Sequence, residues 1–161
     1  MADIVHQAGV QAILQHWTKT QTLENAVNCL FAVLVQADYT PLETHATMAS
    51  VATLWTGVAA NGGATTTAPL VVPVASVTIT IDGDGHVRIV VANLSFGTVS
   101  TAGAPVKHCT LYVEKGVVAA GDADRYPLLT MTSVSAVQPV GTQGFTWLTN
   151  ATGNVLFNLN P

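Results

Sequence analysis

Charge is what this chain most conspicuously has little of. Asp, Glu, Lys and Arg together make up 9% of its 161 residues, against roughly 25% in an average soluble domain. A monomer usually keeps itself soluble by spreading such groups over its surface, whereas Thr, Ser, Asn and Gly suit surfaces that meet other subunits. The shortage therefore predicts a homo-oligomer; a monomer clothed in hydroxyls and amides is the alternative. Basic residues are few and scattered, at Lys19, Arg88, Lys107, Lys115 and Arg125, and the formal net charge is −4. Phosphate contact needs clustered Lys and Arg, so nucleic acid is not the expected partner.

Long hydrophobic runs are also missing. No apolar stretch reaches the roughly 18 to 20 residues that span a bilayer, and the densest, Leu30 to Val35, is only strand-sized. The sequence starts without the basic residues of a secretory signal, since Lys19 is the first Lys or Arg. The expectation is a soluble protein, not exported by that route and not bound to a membrane. Cysteine is limited to Cys29 and Cys109, with no CxxC or CxxH spacing around either. Both lie among apolar residues that read as strand, which predicts two buried free thiols; an inter-strand bridge would need an oxidising compartment.

Catalytic patterns are absent as well. There is no G-x-S-x-G elbow, no H-E-x-x-H, no P-loop and no dinucleotide fingerprint. A zinc site needs several His or Cys at short spacing, whereas His6, His16, His45, His86 and His108 are isolated in sequence. His108 and Cys109 are adjacent on an expected strand and so face opposite ways. The one motif with possible chemistry is Asp82-Gly83-Asp84-Gly85-His86, whose alternating carboxylates resemble the start of a calcium loop. The later ligands and terminal glutamate of an EF-hand are missing, and strands of matching pattern flank the motif. A solvent-exposed hairpin turn accounts for it. The reading is of a non-enzymatic protein with no catalytic residues, no cofactor and no metal.

What the chain does have is β pattern. Cys29 to Val35 is nearly continuously apolar, as in a strand covered on both faces. Val77, Ile79 and Ile81 alternate with Thr78 and Thr80, and Val87, Ile89 and Val91 resume the alternation after the Asp-Gly turn. Further strands are expected at Val106 to Glu114, Leu128 to Val134, Phe145 to Leu148 and Val155 to Leu159, separated by Gly-, Asp- and Asn-rich turns. Thr44 to Trp55 reads as a short helix or an irregular crossing. With no βαβ alternation and no repeat, the expected fold is mainly β: an antiparallel β-sandwich or jelly roll. Ahead of it, Ile4, Val5, Ala8, Ala12, Ile13 and Trp17 recur at broadly helical spacing. This predicts an N-terminal helix or arm over 1–22 and a sandwich domain over 23–161. About 15 helical residues are marginal alone in water, so Ile4, Ala8, Ile13 and Trp17 are the expected contact with the sandwich or with a neighbouring subunit.

The order of these parts carries a resemblance. A strand ends in Ala37-Asp38-Tyr39-Thr40-Pro41, a Gly/Thr-rich stretch follows, and then come Leu111-Tyr112-Val113-Glu114-Lys115, Tyr126-Pro127-Leu128-Leu129, Phe145-Thr146-Trp147 and Asn154-Val155-Leu156-Phe157. In this layout the chain resembles small β-sandwich virion proteins of tailed bacteriophages, whose members are capsid decoration, cement or tail-associated proteins. The resemblance spans most of the chain and rests on layout and short apolar phrases. It implies a homo-oligomer, typically a trimer, bound to the major capsid protein or other virion proteins, assembled in the host cytoplasm and carried in the particle. It implies no catalytic residues. A tail, neck or fibre component and a receptor- or glycan-binding module are the alternatives; aromatic side chains could stack on sugars, but Trp17, Trp55 and Trp147 read as core or interface anchors.

Overall fold

The computed structural model describes residues 4–6, 30–51, 70–72, 76–99, 105–114, 125–137 and 144–158. Along the chain these give strands β1 (Ile4–Val5), β2 (Leu30–Gln36), β3 (Leu70–Val71), β4 (Val77–Ile81), β5 (His86–Val91), β6 (Leu94–Thr98), β7 (Val106–Glu114), β8 (Arg125–Val137), β9 (Gly144–Trp147) and β10 (Asn154–Asn158). A 3-10 turn at Met48–Ser50 is the helical element among the described residues. The strands form a five-stranded sheet in the order β1-β8-β7-β2-β3, a three-stranded sheet β10-β5-β4 and a two-stranded pair β6-β9, and every pairing is antiparallel. The fold is mainly β and sandwich-like, as the alternation predicts.

β2 shows how sequence becomes architecture. Leu30, Ala32 and Leu34 point into one apolar cluster, shared with Ile89 and Val91 of β5, Leu94 and Phe96 of β6, and Trp147 of β9. That cluster is the layer between the five-stranded sheet and the two smaller ones. The alternate residues Val33 and Val35, with Phe31 beside them, enter a second cluster with Tyr39, Met48, Val51 and Tyr112. β2 is thus covered on both faces, which is why its apolar run is nearly unbroken. The second cover is the segment 37–51, laid over the outer face of the sheet. Its stretch 44–51 is an irregular crossing carrying one 3-10 turn.

β7 divides in the same way. Cys109, Leu111 and Val113 face the inter-sheet layer, while Tyr112 lies under segment 37–51. Cys109 is a buried free thiol, as expected; Cys29 lies outside the described residues.

The N-terminus departs from the helical expectation. Ile4 pairs with Thr130 and Val5 with Leu129, and the His6 N–H donates to the Leu128 carbonyl at 2.9 Å. The free margin of β8 offers backbone partners to two β-branched residues, and pairing there outweighs a spacing of three to five that both structures can present. The remainder of the expected helix, including Ala8, Ile13 and Trp17, lies outside the described residues, as does the boundary between 22 and 23.

Two other differences concern length. β8 runs from Arg125 to Val137, beyond the expected Leu128 to Val134. β6 was not separately legible: its buried Leu94 and Phe96 alternate with exposed Ser95, but the strand spans only five residues and contains Gly97 in a left-handed conformation (φ 66°).

Candidate functional site

The Asp82 turn closes the β4-β5 hairpin. Asp82 Oδ1 accepts the backbone N–H of Asp84 (3.1 Å) and of His86 (3.0 Å), and Oδ2 accepts Arg88 Nε (2.8 Å) and pairs with His86 Nδ1 (3.1 Å). Gly85, at φ 80°, supplies the left-handed residue and donates its N–H to the Asp82 carbonyl. Arg88 first, then the His86 backbone, hold the Asp82 carboxyl well below the usual carboxylate range. Asp82, Asp84 and His86 bring potential ligand atoms within 4.8 Å of one another. Both Asp82 oxygens are already engaged, one of them by a guanidinium, so an incoming cation must first displace Arg88. The geometry is that of a self-satisfied turn. Titration with calcium is expected to give no saturable heat, and Asp82→Ala to lower the melting temperature by a few degrees. Tight calcium binding that is abolished when Asp82→Ala and Asp84→Ala are combined would overturn this assignment.

A second constellation lies under segment 37–51, and three of the histidines that look isolated in sequence meet there. His6 follows β1, His108 sits on β7 and His45 comes from the covering segment. His6 Nε2 is 2.8 Å from Thr130 Oγ1, which is 2.9 Å from Thr110 Oγ1, and all three residues are fully buried. His6 stacks on His45 with ring centroids 6.2 Å apart. The Tyr39 hydroxyl pairs with His45 Nδ1 at 2.8 Å, and the Tyr39 ring meets His108 edge-on. His108 Nδ1 is 3.0 Å from Thr132 Oγ1. The second ring nitrogens, His6 Nδ1 and His108 Nε2, are buried without a hydrogen-bond partner.

Burial sets the protonation of this cluster. His6 is lowered to about 4 by desolvation and then by the neighbouring His45, against a smaller opposing effect from the Leu42 backbone, which stops short of hydrogen-bond geometry. His45 is lowered by burial, and His108 by burial and the nearby Lys107 charge, with the Tyr39 backbone opposing. Burial raises Tyr39 to about 12. Near neutral pH the three imidazoles and the phenol are therefore uncharged. Among the described residues no carboxylate contributes to these shifts. Cys109 faces the other side of β7, and burial pushes its thiol well above the ordinary range, which keeps it unreactive.

Sequence spacing concealed this cluster because its members come from three distant places. The legible signal was alternation: His108, Thr110 and Tyr112 on β7, and Thr130 and Thr132 on β8, sit on one face of two paired strands.

The expected interface residues are only partly placed: Ile4 is half-buried on β1 at the sheet margin. Trp147 is a core anchor, 8% exposed, beside an open groove of about 450 Å³ between β8 and β9. Three of the polar residues at that groove bond internally: Thr149 to Asn93 and the Val91 carbonyl, Asn150 to Thr152 and Gly153, and Thr132 to His108. Trp17 and Trp55 lie outside the described residues.

Among the described residues no helix is long and apolar enough to cross a membrane. A scan against protein-family models, a search of curated proteins and a search of solved structures each find no match to this chain.

Proposed function

We propose that this protein is a non-enzymatic structural component of a tailed-bacteriophage particle, a capsid decoration or cement protein that acts as a homo-oligomer, most simply a trimer. The observation that carries the reading is the surface of the sandwich. Ile79 and Ile81 on the edge strand β4 are exposed, Ile81 to 63%, and so are Val134 (92%) and Val137 at the end of β8 and Leu148 (76%) after β9. A chain so poor in charge that also presents large apolar side chains at its sheet margins is suited to contacts with neighbouring subunits. Charged groups are costly to desolvate at an interface centre, so few of them there favours packing, and many weak contacts add through multivalency. The layout resemblance supplies the phage setting and the trimer, since the commonest soluble oligomer is otherwise a dimer.

Light scattering at micromolar concentration is expected to give an oligomer, and a map of an intact particle to show hundreds of copies on the head. A monomer both free and on the particle would defeat the oligomer. A few rings of copies on the tail would replace the decoration role by a tail role.

A further inference from the structure

We propose that His6, His45 and His108 form a latch that holds segment 37–51 and β1 against the five-stranded sheet near neutral pH and releases them on acidification. The placement of the rings carries the idea: one stands on each of the parts that meet there, His45 on the cover, His6 at the end of β1 and His108 on the sheet. Little else in the backbone fastens the cover. Among the described residues, its backbone hydrogen bond to a neighbouring part of the fold runs from Ala37 N–H to the Pro105 carbonyl, and the others stay within the segment or its junction with β2. Among the described residues, docking rests on side chains: Tyr39, Met48 and Val51 in the apolar cluster and the Tyr39–His45–His6 stack beside it. Such an element belongs to the low-stability part of a fold.

A proton arriving at this cluster is poorly received. In the docked state His6 Nδ1 and His108 Nε2 make no hydrogen bond, and the Leu42 and Tyr39 backbones near them favour the charged rings by less than burial disfavours them. The His6 and His45 rings lie face to face, so two cations there would repel. Among the described residues, the surrounding side chains offer no anionic partner. β8 contributes the hydroxyls of Thr130 and Thr132, with Arg125 and Tyr126 at its far end, and β7 contributes Thr110 and Tyr112 together with cationic Lys107. β2 contributes Val33 and Val35, and the cover contributes Tyr39 beside His45. The cover's two carboxylates, Asp38 and Glu43, are exposed to solvent.

The sign follows from linkage. Docked rings bind protons more weakly than undocked rings, which titrate near 6.5. The undocked state therefore takes up more protons below that value, and docking weakens as pH falls from about 6.5 towards about 4, where His6 itself titrates in place. Between pH 7 and pH 5, His6 alone favours opening by roughly twentyfold.

Hydrogen exchange on the full chain, corrected for intrinsic rates, tests this. At pH 5 residues 4–6 and 37–51 are expected to lose at least tenfold in protection relative to pH 7, while the centres of β5 and β7 keep theirs. Replacing all three histidines by glutamine should flatten this dependence. Should that variant fail to fold, His45→Gln, at the half-buried rim, should move the release midpoint to lower pH. Unchanged protection between pH 7 and 5, simultaneous loss across every strand, or an undiminished pH response in a folded triple variant would overturn the latch.

Discussion

Gly153→Ala is expected to destabilise the fold by roughly 2–5 kcal/mol, from a left-handed conformation costing about 1–2 kcal/mol for a residue with a Cβ and overpacking of about 1–3 kcal/mol. Gly153 has φ +76°, and an added Cβ would stand 2.7 Å from Val90 Cγ2 and 2.8 Å from the Ile89 carbonyl oxygen. The backbone carbonyl cannot swing away, because Ile89 is paired with Ile79 on one side and Asn154 on the other. The turn is further tied by Gly153 N–H to the Asn150 carbonyl and by Asn150 Nδ2 to the Gly153 carbonyl. Gly83→Ala is the control: its added Cβ would meet nothing within 4 Å, so it should fall within about 0.5 kcal/mol of the parent. Equilibrium denaturation with urea reads both. Equal effects from the two substitutions would show that the close approach at Gly153 is not a constraint.

Leu34→Ala is expected to cost about 2–5 kcal/mol, the range for removing a buried leucine side chain and leaving a partly collapsed cavity. Leu34 is fully buried on the interior strand β2, opposite Cys109 of the central strand β7, in the layer shared by all three sheets. Ile81→Ala removes a side chain of similar size from the open edge of β4 and should change the stability of isolated subunits by no more than about 0.5 kcal/mol. Its effect should instead be on association. Denaturation of dilute protein, with light scattering alongside, separates the two. A large loss of subunit stability from Ile81→Ala would mean that this edge is packed within its own chain.

Strands were legible where one face is buried and the other wet, because a period of two then appears directly in the residues. β5 is the clearest case, with buried Val87, Ile89 and Val91 alternating with half-buried His86, Arg88 and Val90; β4 alternates across the Asp-Gly turn as well, although its Ile79 and Ile81 are exposed. β2 was legible for the opposite reason, since only a strand covered on both sides needs so continuous an apolar run. The strand at Ile4 and Val5 was not legible, because these residues carry no information about the β8 margin that recruits them; there, pairing with a distant strand overrides local periodicity. The histidine cluster was hidden for the same reason. Nothing near His6, His45 or His108 in sequence marks them as neighbours, and only the alignment of β1 on β8 and β8 on β7 brings two of them onto one face, with the cover delivering the third.

The order of strands in the large sheet also governs how fast the chain can reach it. β7 and β8 are near in sequence, and the Thr110–Thr130 contact closes only 20 positions; β4 and β5 are nearer still. These hairpins can form on the scale of about 1–10 μs. β1, by contrast, reaches β8 across 124 positions, measured from His6 to Thr130, and β2 must find β7 across most of the intervening chain. The entropy of closing those long loops is lost before the contacts that reward it are made, which places folding of such non-local β topologies in the range of milliseconds to seconds. Until β2 docks, the apolar faces of β7 and β8 stand open, and crowded newly made chains meet one another in that interval. The chain is thereby most vulnerable to misassociation before β2 is in place.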